Sequence, residues 1–188
     1  MSLRSIYTKL RIILYQLLSA KSVKIEGNFI KSTPVLFEGK GTVKFGKNIR
    51  IGYYPSPGFF DGNAYIEVRN NNSSIEIDDN TIFNNRLVII CDKTSIKIGK
   101  NCLFGINVWL SDSDFHGIKV ADRLNGNYEC KSEEISDNVF VGNNVTILKG
   151  VTIGKNCVIA SGSIVTKSFP DNTVVGGVPA KFLKYIDE

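Results

Sequence analysis

The hydrophobic positions of this chain follow two different periods. In the first segment, large apolar side chains recur at helical spacing with basic and polar residues between them: Leu3, Ile6, Tyr7, Leu10, Ile13, Leu14, Leu17 and Leu18. This pattern predicts an amphipathic helix within residues 1–22. We expect its apolar face to pack on the body of the protein, and peripheral contact with a membrane is the alternative that the pattern leaves open.

From about residue 40 onward, a period of six replaces the helical one. In the clearest run, an aliphatic residue occupies every sixth position without a gap: Ile135, Val141, Ile147, Ile153, Ile159 and Val165. Shorter stretches of the same pattern lie in residues 45–52, 77–89 and 98–110. An antiparallel sandwich would show period-two alternation and variable turn spacing, so the unbroken register argues against that fold class.

The residues between the aliphatic positions are typical of tight turns. Glycine follows Val141 and Ile153, and asparagine recurs at positions 138, 144 and 156. Both residue types enter the left-handed backbone region at low cost. Three units of strand and turn would close a triangular coil, and stacked coils roughly 4.8 Å apart would align their aliphatic residues in one column. The pattern therefore predicts an all-β solenoid, a parallel β-helix over about residues 40–177, in a single domain of 188 residues.

The six-residue register breaks after Leu110 into a polar, protruding loop over about residues 111–134. Long loops without structure of their own are more often functional than not. This loop holds the chain's single histidine, His116, near Asp112 and Asp114. Because an imidazole titrates near neutral pH and suits a general base, the loop is the candidate site.

Composition excludes two other classes of function. One histidine cannot supply the two or three imidazoles of a catalytic metal centre, and the four cysteines have no zinc-like spacing, so we expect no metal. The cysteines are expected to be reduced, as in a cytoplasmic protein. The net charge of +5 equals the five basic residues among the first 24 positions, where no acidic residue occurs, and the other 18 basic and 18 acidic residues cancel. A neutral solenoid gives no support for binding nucleic acid.

The stretch from Val141 to Lys184, VGNNVTILKGVTIGKNCVIASGSIVTKSFPDNTVVGGVPAKFLK, resembles the C-terminal signature of hexapeptide-repeat acyltransferases of the galactoside, maltose and nodulation O-acetyltransferase type. The specific feature is the order of repeats, V-T-K, a proline-containing turn and G-x-P-A-K at the start of a short C-terminal helix, here expected at 178–188. The resemblance covers roughly residues 40–188. It implies a left-handed coil, acetyl-CoA as a co-substrate with no permanently bound cofactor, a saccharide acceptor, and a homotrimer with sites between subunits.

The resemblance also implies roles for residues of the loop and the repeats. His116 matches the family's general base, with Asp114 as a weaker candidate for orienting it. The backbone N–H of Asn143, after Gly142, matches the donor to the developing oxyanion. The pantetheine arm and phosphates of CoA are expected to lie along Phe140, Gly142, Asn143, Ser161, Thr166, Lys167 and Lys181, and the acceptor near Phe83, Asn85 and Asp112.

Together these features predict an acetyl-CoA-dependent O-acetyltransferase that acts on a sugar or glycan hydroxyl by direct transfer. Cys102 and Cys157 fall on compact inward positions, which makes an acyl-cysteine intermediate the poorer hypothesis. Two alternatives stay open at this point: an N-acetyltransferase for an amino sugar or a nucleotide amino sugar, and a non-catalytic β-solenoid scaffold.

Overall fold

The computed structural model describes residues 2–186. Within this range the chain forms one α-helix, α1 (Leu3–Leu18), a short 3-10 turn (Val120–Asp122) and twenty strands. The strands are β1 (Lys24–Glu26), β2 (Phe29–Lys31), β3 (Val35–Gly39), β4 (Thr42–Phe45), β5 (Ile49–Ile51), β6 (Ala64–Val68), β7 (Ser74–Ile77), β8 (Ile82–Phe83), β9 (Val88–Cys91), β10 (Ser95–Ile98), β11 (Leu103–Phe104), β12 (Trp109–Ser111), β13 (Glu133–Ile135), β14 (Phe140–Val141), β15 (Thr146–Ile147), β16 (Thr152–Ile153), β17 (Val158–Ile159), β18 (Ile164–Val165), β19 (Thr173–Gly177) and β20 (Ala180–Tyr185).

Successive strands along the chain belong in turn to three different sheets. The first sheet has the order β1-β4-β7-β10-β13-β16, the second β2-β5-β8-β11-β14-β17-β19-β20, and the third β3-β6-β9-β12-β15-β18. All pairs are parallel except the last, β19 with β20. Each coil therefore contributes one strand to each side of a three-sided prism, as the sequence predicted, and the arrangement is consistent with a left-handed β-helix.

The core is the column of aliphatic side chains that the period of six predicted. The run from Ile135 to Val165 is buried at every sixth position, and so are the compact residues that precede each strand, such as Val139 and Cys157. Phe83 and Phe104 stack within the same column with ring centroids 4.6 Å apart. Burial of these side chains, at about 25 cal/mol for each Å² of apolar surface, is the main stabilising contribution in such a fold.

Asparagines at one corner of the prism form a ladder along its length. Six of them have positive φ angles, and each of the first five donates its side-chain N–H to the next over 2.7–3.2 Å: Asn48, Asn80, Asn101, Asn138, Asn156 and Asn172. The ladder confirms the predicted turn role of asparagine, because each residue both adopts the left-handed conformation and bonds to the neighbouring coil.

The outward-facing positions differ between the sides of the prism. On the first sheet they alternate in charge from coil to coil, through Glu26, Lys44, Glu76, Lys97 and Glu134. On the second sheet they are apolar over four coils, through Ile82, Leu103, Phe140 and Val158. An alternating ladder of charges suits water, whereas Leu103 and Phe140 are about half exposed and offer an apolar stripe.

Two predicted boundaries were wrong. The solenoid begins at β1, with Lys24, rather than near residue 40, because β1–β3 pair in register with the coil above them. The C-terminal helix expected over 178–188 is absent among the described residues. Ala180–Tyr185 forms β20 instead, which folds back antiparallel on β19 and supplies hydrogen bonds to that strand. Residues 187 and 188 lie outside the described range.

The helix α1 exists as predicted but lies on the body by its more polar side. Ser5, Thr8, Arg11 and Tyr15 are partly covered, while the large apolar residues point outward. Leu3, Leu10 and Leu17 are 86%, 61% and 76% exposed. The expected packing of the apolar face against the body was therefore wrong. No helix within residues 2–186 has the length and apolar character needed to cross a bilayer.

Candidate functional site

The loop that interrupts the solenoid leaves the third sheet after β12 and returns to the first sheet at β13. Its two ends run side by side. Ser113 and Cys130 form an antiparallel bridge, the N–H of Lys131 donates to the carbonyl of Asp112 over 2.8 Å, and that of Asp114 donates to Glu129 over 3.2 Å. The paired segments 112–114 and 129–131 therefore form a neck at the base of the loop, which limits how far the tip of the loop can move.

Asp112 fixes the base of this neck. Its side chain is fully buried, and its two carboxylate oxygens accept the backbone N–H groups of Asp92, Lys93 and Thr94 over 2.7–3.1 Å. The hydroxyl of Thr94 adds a further bond of 2.9 Å. The prediction that Asp112 contacts an acceptor was wrong, because the carboxylate is enclosed and its lone pairs hold the turn of the coil below.

A second buried carboxylate, Asp92, anchors the far side of the loop. It accepts the hydroxyl of Tyr128 over 2.6 Å, and the guanidinium of Arg69 lies 3.8 Å from the same oxygen. Hydrogen bonding to Asp92, with burial, raises the pKa of Tyr128. The ammonium of Lys93 lies 3.8 Å from the centre of the Tyr128 ring. Tyr128 is thus held both by its hydroxyl and by its ring.

Lys149, from the next coil, ties both ends of the loop together. Its ammonium lies 3.1 Å from Asp114 and 3.1 Å from Glu129. Burial lowers the pKa of Lys149, but hydrogen bonds to the two carboxylates outweigh burial and raise it overall. Asp114 was predicted to orient His116, but its carboxylate is paired with Lys149, so that role falls to another group.

That group is a main-chain carbonyl. His116 is exposed near the start of the loop, and its Nδ1 lies 2.8 Å from the carbonyl oxygen of Arg123. Because a carbonyl only accepts hydrogen bonds, Nδ1 carries the proton and Nε2 keeps its lone pair. Within the described residues Nε2 has no hydrogen-bond partner. The ring is therefore held in the tautomer and orientation that a general base at Nε2 requires.

The residue before the histidine has an unusual backbone. Phe115 has a φ of +60°, a conformation that bulky residues adopt only at a cost. Its N–H donates to the hydroxyl of Ser113 over 2.9 Å, and the guanidinium of Arg69 lies 5.0 Å from its ring centre. The turn at Phe115 allows the His116 N–H to bond to the carbonyl of Asp114 over 2.7 Å. The left-handed residue thus sets the direction of the histidine.

The two residues predicted for the acceptor are both internal. Phe83 is 0% exposed and belongs to the core column. Asn85 is also buried, and its amide N–H groups donate to the carbonyls of Tyr53, Ser56 and Pro57 while its oxygen accepts the N–H of Tyr53. The prediction of acceptor contact was therefore wrong for both side chains, since Asn85 shapes the 53–57 loop and Phe83 fills the core.

Phe140, Gly142, Asn143 and Ser161, predicted for CoA, lie at or beside a different corner of the prism, between the second and third sheets. Thr166 and Lys167 follow β18, at the corner from which the loop leaves in an earlier coil. Gly142 packs so closely on Ser161 that a Cβ atom there would lie 2.6 Å from the Ser161 nitrogen. The N–H of Asn143 donates to the Ser161 hydroxyl over 3.0 Å. Phe140 and Ser161 are exposed along the edge between the second and third sheets, and Thr166 is exposed at the corner that follows β18. The predicted oxyanion donor is therefore hydrogen-bonded to a surface hydroxyl, and Asn143 itself is exposed.

The basic residues predicted for the phosphates are spread over the last coil. Lys167 extends over the ring of Phe169, with its ammonium 5.8 Å from the ring centre, and Lys181 is exposed on β20. No described contact joins these residues or Asn143 to His116. The loop leaves from the corner between the third and first sheets, whereas Asn143 lies between the second and third. One chain thus carries His116 and the predicted oxyanion donor at different corners.

The cysteines have the environment of structural residues. Cys91, Cys102 and Cys157 are buried and free. Burial raises the pKa of Cys102 to about 11 and also raises that of Cys91. A thiol held protonated is a poor nucleophile. Among residues 2–186, no cluster of three histidine, cysteine or carboxylate side chains is placed to hold a metal ion.

Sequence reasoning missed a buried acid beneath the loop. Glu133, the first residue of β13, is 1% exposed and neither carboxyl oxygen has a hydrogen-bond partner in the described structure. Burial, with the nearby charge of Asp112, raises the pKa of Glu133 to about 8. Its inward position in the repeat, two residues before Ile135, was the signal available in the sequence.

Two family models match the chain, both within the solenoid. One, described as bacterial transferase hexapeptide (six repeats), matches residues 134–167. The other, described as hexapeptide repeat of succinyl-transferase, matches residues 95–123 and so reaches into the loop as far as the turn after His116. The period of six is the feature that both models share with this chain.

Curated relatives include two galactoside O-acetyltransferases. That of Escherichia coli (strain K12) is 41% identical over 116 residues, which are 62% of this chain and 56% of that protein. That of Lactococcus lactis subsp. lactis is 38% identical over 107 residues, 57% of this chain and 51% of that protein. The matched region thus spans little more than half the length of these relatives.

Solved structures share the fold. A galactoside acetyltransferase in complex with coenzyme A superposes with a TM-score of 0.54 at 23% identity, over 96% of this chain and 82% of that one. At this identity the likeness establishes the solenoid architecture of the described residues and extends to no individual side chain.

Proposed function

We propose that this chain, a member of the hexapeptide-repeat acetyltransferase family, transfers an acetyl group from acetyl-CoA to a hydroxyl of a saccharide. The observation that carries the proposal is the bond from His116 Nδ1 to the Arg123 carbonyl. It leaves Nε2 as an exposed base on a loop that is anchored by buried carboxylates. The similarity to galactoside O-acetyltransferases supports acetyl-CoA as the donor and a sugar as the acceptor class.

The chemistry proceeds by direct transfer. The acceptor hydroxyl attacks the thioester carbonyl carbon while Nε2 of His116 takes its proton, which forms the C–O bond and places negative charge on the carbonyl oxygen. Collapse of this adduct breaks the C–S bond, and the imidazolium returns the proton to the departing thiolate, so that the products are the acetyl ester and CoA. A base is needed because an alcohol is a poor nucleophile at neutral pH.

The backbone N–H of Asn143 is the proposed donor to the developing oxyanion. In the structure this N–H donates to Ser161 Oγ, a surface hydroxyl that can rotate away and leave the donor for the thioester oxygen. Preorganised donors of this kind contribute about 3–4 kcal/mol to transition-state stabilisation in acyl transfer. Gly142 lets the two coils pack closely at this corner, because a Cβ atom there would lie 2.7 Å from Ser161 Oγ.

The proposed path for CoA follows the edge of the prism beside Asn143. Phe140 and Ser161 offer an exposed apolar ring and a hydroxyl along that edge for the pantetheine arm, and Thr166 offers a second hydroxyl at the corner that follows β18. Lys167 and Lys181, which come later in the sequence, supply ammonium groups for the phosphates of CoA.

Assembly as a homotrimer would complete this site. Because His116 and Asn143 lie at different corners of one prism, the two would meet when the loop of one subunit reaches the CoA edge of its neighbour. The apolar stripe that contains Leu103 and Phe140 provides a surface next to that edge for such a contact.

The proposal is tested by incubating the purified protein with acetyl-CoA and a panel of sugars, amino sugars and nucleotide sugars, with release of the free CoA thiol as the readout. Thiol release that depends on a hydroxyl-bearing sugar supports the proposal. Treatment of the product with alkaline hydroxylamine then separates the alternatives, because an O-acetyl ester is cleaved and an N-acetyl amide is not. Absence of acetyl-CoA binding by calorimetry would instead favour a non-catalytic solenoid.

A further inference from the structure

The outer face of helix α1 is apolar along its whole length. At 100° per residue, seven aliphatic residues fall on one side of the helix and all are exposed: Leu3, Ile6, Leu10, Ile13, Leu14, Leu17 and Leu18. Within residues 2–186, none of these side chains packs against the hydrophobic core. An apolar face of this size, rimmed by polar residues, marks a contact surface.

The opposite side of α1 is fastened to the body by polar contacts. The guanidinium of Arg11 donates to the carbonyls of Phe60 and Gly62 over 2.6 and 2.8 Å. Arg4 donates to the hydroxyl of Tyr54 and lies over its ring. The hydroxyl of Tyr7 donates to the carbonyl of Phe60 over 3.1 Å. These bonds fix the rotation of the helix, so its outward apolar face is a property of the fold.

A basic cavity lies beside the helix, between its polar side and the first coils. Its volume is about 370 Å³, and four of its ten lining residues are cationic while none is acidic. The four are Arg4, Lys9, Lys31 and Arg50, and the hydroxyl of Tyr54 also faces the cavity. Burial in this lining lowers the pKa of Lys31. Such a lining suits a phosphate group.

The charge of the N-terminal segment distinguishes between two candidate occupants of the apolar face, a second copy of α1 and an anionic bilayer. The first 25 residues contain five basic residues and no acidic one. Two copies of α1 packed face to face would bring these cations together, whereas an anionic bilayer would attract them. An amphipathic helix with one leucine-rich side and a basic flank lies in the plane of such a bilayer, with its apolar side about 5–10 Å deep in the headgroup region.

We propose that α1 and the basic cavity beside it bind the surface of an anionic phospholipid bilayer, with the apolar face among the acyl chains and a lipid phosphate in the cavity. This surface is separate from His116 and does not depend on the proposed acetyl transfer. It would place the enzyme beside acceptors that are carried on lipids.

Vesicle flotation with the full chain tests the proposal. Vesicles of phosphatidylcholine alone are compared with vesicles that also contain phosphatidylglycerol, at low and high salt. We expect flotation with the anionic vesicles only, reduced at least tenfold by high salt. The triple variant Leu10→Ser, Leu14→Ser, Leu17→Ser and the double variant Lys31→Glu, Arg50→Glu should each lower the bound fraction at least tenfold.

Matched controls lie on the far side of the prism and on the loop. Lys97→Glu, Lys100→Glu makes the same charge change on the first sheet and its corner, and Ile118→Ser removes an equally exposed apolar residue. Both should float as the parent does. His116→Ala should also float, which keeps this result separate from the catalytic one.

Three results would overturn the proposal. If the Lys97→Glu, Lys100→Glu control lowers flotation as much as the cavity variant does, the effect is one of overall charge and not of the cavity. A protein that does not float, but whose mass in solution falls when the leucines become serine, would show that the face joins copies of this chain. A protein that does not float, but whose Tm rises with millimolar inorganic phosphate in a way that Lys31→Glu, Arg50→Glu abolishes, would assign the cavity to a soluble phosphate.

Discussion

Nδ1 of His116 lies 2.8 Å from the carbonyl oxygen of Arg123, seven residues further along the same loop. The contact assigns the proton to Nδ1 and leaves the lone pair on Nε2. A carbonyl within the loop therefore orients the base, a role predicted from the sequence for the carboxylate of Asp114.

Because His116 is the only histidine, its tautomer is directly measurable. We expect the neutral ring to be protonated at Nδ1, as shown by the two ring ¹⁵N chemical shifts in a long-range ¹H–¹⁵N spectrum. An Nε2-protonated ring would mean that the Arg123 carbonyl does not hold the side chain in solution.

Lys149 should act on turnover through the loop. Its replacement by methionine removes the cation between Asp114 and Glu129, so the two carboxylates lose their shared partner and the segment that carries His116 is held less firmly. Since a displacement of about 1 Å at a reacting group costs up to about a hundredfold in rate, we expect kcat to fall about ten- to a hundredfold with little change in CoA affinity. Stopped turnover assays and calorimetry measure the two effects.

Lys155→Met is the matched control for Lys149→Met, because Lys155 is exposed and none of its described side-chain contacts involves the loop. Its kcat should stay within about twofold of the parent. If both lysine variants lose the same fraction of kcat, the positioning role of Lys149 is wrong.

The solenoid was predictable from sequence because its pattern is local. Each aliphatic residue from Ile135 to Val165 repeats at a spacing that only a six-residue turn satisfies, and each proved buried. The C-terminal strand was not predictable in the same way. Ala180–Tyr185 is extended because it pairs with Thr173–Gly177, and this partner, not a local pattern, decides its conformation.

The candidate site was predictable only in part, for a related reason. The break in register located the loop and His116. The roles of Asp112 and Asn85 depend on which backbone groups lie opposite them in space. Asp112 faces a turn in the coil below, and Asn85 faces the 53–57 loop. Polar side chains of this kind look alike in sequence whether they face a ligand or a buried turn.

Replacement of Asp112 by asparagine distinguishes these two roles. The amide nitrogen would face N–H donors in a buried site, so we expect the free energy of unfolding to fall by at least about 2 kcal/mol. Chemical denaturation measures this loss, with the half-buried loop variant Asp122→Asn as the control. Unchanged stability together with a raised KM for the acceptor would restore Asp112 as a binding residue.

Glu133 should make the protein less stable as the pH rises. Burial raises its pKa to about 8, so between the ordinary carboxyl value near 4.5 and 8 the folded state holds a proton that the unfolded state has lost. Stability from this group is therefore present at pH 4.5 and is lost progressively towards pH 8, by up to about 1.4 kcal/mol for each pH unit.

Glu133→Gln, which cannot ionise, removes this dependence. The variant's free energy of unfolding, minus that of the parent, should increase from pH 5 to pH 8 when both are measured by urea denaturation. A constant difference across that range would show that Glu133 ionises normally in the folded protein.

The most direct test compares turnover of the parent and His116→Ala with acetyl-CoA and an accepted sugar, alongside acetyl-CoA affinity and Tm. A general base contributes about 10²- to 10⁴-fold to such a reaction, so we predict that kcat falls by at least a hundredfold while affinity and Tm stay near the parent values. The exposed loop variant Lys119→Ala should keep full turnover. Turnover by His116→Ala equal to that of the parent would contradict the assignment of His116 as the base.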